Sequence, residues 1–215
     1  MFSNIYILSI AALFVGYIFG CFSTAYFVGK ANKIDIRSYG SGNAGTTNAM
    51  RTLGRKAGII TYVGDVIKAV LPIILARVFV LSQNPDADLI YFIIGLGVVL
   101  GHNYPVWLKF KGGKGIAVTS GVFIAVVPQI AVFAFIAFVT VALISKYISL
   151  ASICAILLAA AGIIIYYDYS LPYILVIGLY VFLALWQHRA NIVRLLHGTE
   201  NKIGQHQPPL VEKTK

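Results

Sequence analysis

The chain has 215 residues, 59% hydrophobic and only 11% charged, with a formal net charge of +10. At a mean hydropathy of +0.85, it lacks the polar surface a soluble domain of this length needs, so it reads as an integral membrane protein. Two cysteines, Cys21 and Cys154, both in apolar stretches, argue against a disulfide framework or a thiolate metal site.

A spanning helix needs roughly 20 apolar residues to cross about 30 Å of hydrocarbon. The first 29 residues are long enough, lack a basic n-region and carry no clear cleavage signal. They read as a first transmembrane helix over residues 5–28, not a signal peptide. Further spans fall at 58–81, 89–108, 149–166 and 171–187. The apolar run between Gly115 and Ser145 is too long for one comfortable helix and holds Pro128 near its middle. Proline suits a helix start, which divides the run into a short helix over 116–127 and a fuller one over 128–144. One tilted helix over 116–144 is the alternative. The expected fold class is an all-α polytopic membrane protein, a compact bundle of about seven transmembrane helices, one of them short.

The cations are unevenly placed. Apart from Lys68 and Arg77 on the second span, every Lys and Arg lies in residues 30–56, in 109–114, at Lys146, or from Arg189 onward. The loops "SQNPDAD" and "YDYS" have none. By the positive-inside rule the N-terminus is outside and the C-terminus cytoplasmic. Residues 1–203 then form a single membrane domain and 204–215 a polar cytoplasmic tail. Three unusual segments converge on the cytoplasmic side, where they can line one cleft.

The first is "GSGNAGTTN", residues 40–48. Gly40 and Gly42 permit backbone N–H groups to turn toward one point and form an anion nest. Ser41 and Thr47 add hydroxyls, and Asn43 and Asn48 add amides. Arg51, three residues past Asn48, offers a bidentate fork to phosphate. A flexible linker needs neither the asparagines nor the arginine. The second, "GHNYPVWLKFKGGKG", ends in Lys111, Gly112, Gly113, Lys114 and Gly115 just before a helix. Cations around free amides at a helix N-terminus make a phosphate cradle. It is not a Walker A loop, because Ile116 follows Gly115 where Ser or Thr would be needed. Tyr104 and Trp107 read as interfacial aromatics. In the third, "WQHRANIVRLLHGTENKIG", His188, Asn191 and Arg194 share one helical face. Glu200 reads as an ion-pair partner for the basic loops. Asp65 and Lys68, three apart on the second span, can pair inside the membrane, and Arg77 reads as a snorkelling residue.

The sequence has no GxSxG, no HExxH and no carboxylate cluster able to hold Mg²⁺ or Zn²⁺, and no histidine begins an HxxxxD pair. Metal: none, and cofactors: none, are the expectations.

"GSGNAGTTNAMRTLG", "GHNYPVWLKFKGGKGIAV" and "QHRANIVRLL" together resemble, in order and over nearly the whole chain, the three motifs of the bacterial acyl-phosphate:glycerol-3-phosphate acyltransferases, the PlsY family. "GDVIKA" is similar to the family's D-x-x-K-G element, with Ala69 where Gly is usual. The resemblance implies transfer of a fatty acyl group from acyl phosphate to the sn-1 hydroxyl of glycerol 3-phosphate. Lysophosphatidic acid and phosphate leave, as the first acylation of phospholipid synthesis. It implies no metal, coenzyme A or carrier protein, no nucleic acid, no obligate protein partner, and a place in the bacterial inner membrane with the site facing the cytoplasm. It puts Ser41 and the surrounding glycines on the acyl phosphate. Arg51, Lys111, His188 and Asn191 would hold glycerol 3-phosphate, Gly112 and Gly113 belong to the second motif's loop, and Glu200 is structural. The competing reading is a transporter for a phosphorylated metabolite. Such a protein favours midplane sites and internal repeats, whereas these cations gather at one membrane edge and no repeat is visible.

Overall fold

The computed structural model describes residues 2–79, 86–168 and 170–204, with side chains from Ile5 onward. Its helices are α1 (Phe2–Gly20), α2 (Thr24–Ala31), α3 (Thr46–Leu53), α4 (Arg55–Phe79), α5 (Ala87–Asn103), α6 (Ile116–Val126), α7 (Pro128–Ser145), α8 (Ile148–Tyr166) and α9 (Leu171–Leu196). Short 3₁₀ turns lie at Ile36–Ser38 and Val106–Leu108. No strand occurs among the described residues. Among the described residues six helices are long and apolar enough to cross a membrane, and α6 is a shorter apolar seventh. The segment 80–85, which includes the expected end of the second span, lies outside the described residues, as do Tyr169 and the tail from 205 on, with His206, Glu212, Lys213 and Lys215.

The run 116–144 is two helices, and Pro128 opens the second. At 1.5 Å per residue α6 covers about 16 Å, half the hydrocarbon thickness. Its end is completed from α4: the Arg77 guanidinium donates to the Ala125 carbonyl at 2.9 Å and lies over the Tyr91 ring at 5.0 Å. Arg77, exposed on α4, therefore caps the end of α6.

The first span is not continuous to residue 28. α1 stops at Gly20, and Ser23 caps α2 by accepting from the Tyr26 N–H at 3.4 Å. Such a break frees carbonyls that hydrocarbon cannot satisfy. The Trp107 indole donates to the Cys21 carbonyl at 2.7 Å, and the Lys68 ammonium donates to the Phe22 carbonyl at 2.7 Å. Trp107 is thus a structural donor as well as an interfacial aromatic. The last span runs past residue 187 to Leu196, so the His188 face continues one helix.

α1 and α5 meet backbone to backbone. A Cβ on Gly16 would stand 2.0 Å from the Ile94 carbonyl oxygen, and one on Gly101 would stand 2.2 Å from that of Tyr17. Small residues at helix spacing allow this approach where lipid supplies no hydrophobic drive. The apolar helices alternate in direction. One end gathers the chain around 34–54, 104–115, 145–149 and 188–204, through bonds such as Arg37 to Leu108 O (3.0 Å) and Ile203 N–H to Lys146 O (2.8 Å). The opposite end holds Tyr167 bonded to Asp88 at 2.7 Å and stacked on Tyr173.

Candidate active site

The first glycine loop is braced from within. Asn48 is buried at the start of α3; its amide N–H₂ donates to the carbonyls of Ile36 (2.9 Å) and Tyr39 (3.0 Å), and its oxygen accepts from the Ser41 N–H (2.8 Å). Gly40 and Gly42 take φ of +58° and +72°. A Cβ on Gly40 would fall 2.3 Å from the Asn48 oxygen, so this turn requires glycine. Asn48 spends its side chain on loop geometry. Ser41 is exposed, with Asn43 beside its hydroxyl at 3.4 Å, and Thr47 is half-buried on α3.

The second loop packs against the first. The Ala44 N–H donates to the Gly112 carbonyl at 3.3 Å, and the N–H groups of Gly112 and Gly113 donate to the carbonyls of Asn103 and His102, both at 3.1 Å. Any side chain at Gly112 would strike the His102 carbonyl. Gly115, at φ +85°, precedes α6. Lys111 is exposed, while Lys114 turns inward and donates to the Asn191 side-chain oxygen.

On α9 and the chain beyond it, Glu200 forms a bracket. One carboxylate oxygen accepts from Asn191 (2.7 Å) and Ser149 (2.9 Å), and the other from Arg194 Nε (2.7 Å). Burial pushes the Glu200 carboxyl up, but the bonds from Asn191, Arg194 and Ser149, with the Arg194 charge, bring it below the ordinary glutamate value. It is held ionised and structural. Burial lowers Lys114 to about 8, with Arg194 and Arg51 adding to the fall and Glu200 opposing it. Burial also lowers Arg51, against the pull of Glu200. The Arg51 guanidinium has no hydrogen bond or ion pair to another described residue, yet it lies within electrostatic reach of both Glu200 and Arg194. Three cations therefore face one carboxylate, leaving two positive charges uncompensated where the three segments meet.

His188, one turn before Asn191, is 3% exposed. Its Nδ1 lies 2.8 Å from the Ala184 carbonyl. A carbonyl only accepts, so Nδ1 carries the proton and Nε2 presents a lone pair. The meeting of the three segments thus offers anion-binding cations beside one hydrogen-bond acceptor, which suits an anionic molecule that also carries a hydroxyl. The N–H groups of Ser41, Gly42, Gly112 and Gly113, expected to be free for an anion, are instead taken by protein acceptors that fix the loops.

The family model described as glycerol-3-phosphate acyltransferase matches residues 10–198. The chain belongs to the glycerol-3-phosphate acyltransferase family. Enzymes of that description from Prochlorococcus marinus (strain NATL1A) and Thermoanaerobacter pseudethanolicus are 40% and 43% identical to it over 204 and 192 residues. The alignments cover 92% and 89% of this chain and 100% and 93% of theirs. Two crystal structures of PlsY (YgiH), an integral membrane glycerol 3-phosphate acyltransferase, share the fold. Its glycerol 3-phosphate form superposes with TM-score 0.79 at 35% identity, covering 93% of this chain and 95% of that one. Its lysophosphatidic acid form gives 0.80 at 33%, covering 91% and 95%.

Set in this family, the remaining ionic pair gains a third member. Asp65 and Lys68 pair at 2.8 Å, with Thr24 on the same carboxylate oxygen at 3.2 Å and His102 Nδ1 on the ammonium at 2.8 Å. Sequence reasoning passed over His102 and Ser149, because both act across the fold at separations no local spacing reveals. Among the described residues no three His, Cys, Asp or Glu side chains converge as metal ligands would.

Proposed function

We propose that the protein transfers a fatty acyl group from acyl phosphate to the sn-1 hydroxyl of glycerol 3-phosphate at the three-loop cleft, on the cytoplasmic face of a bacterial inner membrane, without cofactor or obligate protein partner. The observation that carries the reading is the set of Arg51, Lys114 and Arg194 around the single carboxylate of Glu200, next to the His188 lone pair. Two uncompensated positive charges match a phosphate dianion. Arg51, with no partner of its own, supplies the fork, and Lys114, Asn191 and the exposed Lys111 complete the hold on glycerol 3-phosphate. Ser41, Gly40, Gly42, Asn43 and Thr47 of the first loop, shaped by Asn48, receive the acyl phosphate, and Gly112, Gly113 and Gly115 shape the second loop packed against it. The cation excess in loops at this end supports the cytoplasmic assignment.

An acyl phosphate is already activated, so no covalent enzyme intermediate is required. The glycerol hydroxyl oxygen attacks the acyl carbon, the bond from that carbon to the phosphate oxygen breaks, and phosphate departs with the electron pair. Holding the two substrates together supplies much of the rate, and amides and cations stabilise the carbonyl oxygen and leaving phosphate. The hydroxyl proton passes to a phosphate of the substrate, with His188 Nε2 as the rival acceptor. A His188→Gln variant that keeps most of its kcat, with His188→Ala losing it, assigns positioning to His188; a clear loss in the Gln variant assigns the base to it.

The test of the function uses purified protein in lipid with labelled glycerol 3-phosphate and, separately, acyl phosphate, acyl-CoA and acyl carrier protein as donors. Labelled lysophosphatidic acid from acyl phosphate alone, unchanged by EDTA, is expected. No product from any donor, together with saturable uptake of glycerol 3-phosphate into proteoliposomes, would overturn the reading in favour of transport.

A further inference from the structure

The geometry points to His102 as a further catalytic residue, a neutral imidazole whose Nε2–H donates a hydrogen bond to an oxygen of the acyl phosphate where the two glycine loops meet. The inference rests on the acyl-transfer reading above and adds to it a donor held by Asp65 and Lys68.

The Lys68 ammonium is fully used. Its three protons go to Asp65 (2.8 Å), the Phe22 carbonyl (2.7 Å) and His102 Nδ1 (2.8 Å). An ammonium has no lone pair, so Nδ1 of His102 must accept, and the ring proton is confined to Nε2. Asp65 and Lys68 are 1% and 5% exposed, so the pair is rigid and water does not compete for it. Asp65 holds the Lys68 ammonium in place, and Lys68 holds His102 in one tautomer.

Nε2 has no acceptor among the described residues. It stands under Gly113: a Cβ there would fall 2.1 Å from Nε2 and 2.8 Å from the Ala44 carbonyl of the first loop. Glycine at 113 is what leaves this N–H uncovered. Beside it Asn103, 2% exposed, has no partner for either side-chain amide atom, and it faces Gly115, the residue before α6. A ring N–H without an acceptor and a buried amide without partners thus stand together at the junction of the two loops. A fixed N–H in a dry site stabilises developing charge without reorganising.

The acyl phosphate is favoured over glycerol 3-phosphate by what surrounds the triad. The Lys68 stem also lines an apolar groove of about 380 Å³ between α1 and α4, walled by Ile18, Phe22, Ile67 and Leu71. The cations suited to glycerol 3-phosphate lie instead on α3, α9 and Lys114.

The test begins with acyl transfer by wild-type protein, because absence of product sinks the functional reading whatever His102 does. Wild-type protein labelled with ¹⁵N-histidine in lipid nanodiscs is then examined by NMR, with and without a non-transferable alkyl acylphosphonate, the His102 signals being identified by His102→Gln. The expected result is a single tautomer protonated at Nε2, whose N–H signal moves on saturation with the phosphonate. Kinetics should follow: His102→Phe loses about 100-fold in kcat, the scale of one oxyanion donor, with KM for glycerol 3-phosphate unchanged, while His102→Gln, which keeps an N–H₂, stays within about tenfold of wild type. In an active enzyme, a proton on Nδ1, an N–H signal indifferent to the phosphonate, or full activity in the Phe variant would each overturn the inference alone. If both variants fail to fold, the wild-type spectra decide, with His188, His197 and His206 identified by their own Gln variants and His102 by elimination.

Discussion

Two ionic centres flank the cleft, and each holds a buried histidine in the opposite state from the other. At the bundle edge, Glu200 is saturated by Ser149, Asn191 and Arg194, and His188 is tied to a carbonyl, so that it shows a lone pair. Inside the bundle, Asp65 leaves Oδ2 without a partner, and His102 is tied to an ammonium, so that it shows a proton. The lesson is that the partner of one ring nitrogen decides the chemistry of the other. The edge centre also has cations in excess and the inner one has them matched, so the first is built to receive an anion and the second to hold its own residues still.

Substitutions should separate the two centres. The largest effect falls on Asp65→Ala, which strands the Lys68 ammonium in the bundle. About 3–5 kcal/mol of stability should be lost, seen as a lower melting temperature, and an unchanged melt would mean Lys68 finds another partner. Glu200→Ala frees Asn191 and Arg194 at the half-buried edge, and a smaller loss of about 1.5–3 kcal/mol is expected along with activity. A loss equal to that of Asp65→Ala would erase the distinction drawn between edge and interior. Arg51→Ala should leave the melt alone and lower kcat/KM for glycerol 3-phosphate about 10–100-fold, the worth of a charged hydrogen bond.

Lys114 gives the edge centre a pH signature. With its value lowered to about 8, it is protonated at neutral pH and loses its charge above that, so KM for glycerol 3-phosphate should climb above about pH 8. Lys114→Gln should lack that limb. Stability moves the other way. The unfolded chain binds this proton more tightly than the folded one, so unfolding free energy should rise between about pH 8 and the ordinary lysine value of 10.5. A flat KM profile in wild type would remove Lys114 from the binding set. Smallest of all, Arg189→Ala on the exposed face of α9, where the guanidinium lies 4.7 Å from the Trp186 ring, should cost about 0.5 kcal/mol and no activity.

Much of this was legible in the sequence because it is local. Apolar length gave the spans, Pro128 gave the division of 116–144, and the i, i+3 spacing put His188 and Asn191 on one face. The same spacing gave the Asp65–Lys68 pair. What stayed hidden is long-range. Nothing near Cys21 announces that α1 breaks there, because the donors that make the break tolerable, Trp107 and Lys68, are far along the chain. Arg77 as the cap of α6 and Ser149 as a partner of Glu200 are invisible for the same reason. The roles of Asn48 and His102 emerge only when the loops they support are seen in place.

The most direct test is a calorimetric titration of glycerol 3-phosphate into wild-type protein and Arg51→Ala in lipid, at pH 7 and pH 9. Saturable binding by wild type at pH 7, weaker at pH 9, and lost in an Arg51→Ala protein that melts normally, is the result expected of a phosphate held by uncompensated edge cations. Binding of equal strength in both proteins at both pH values would contradict it.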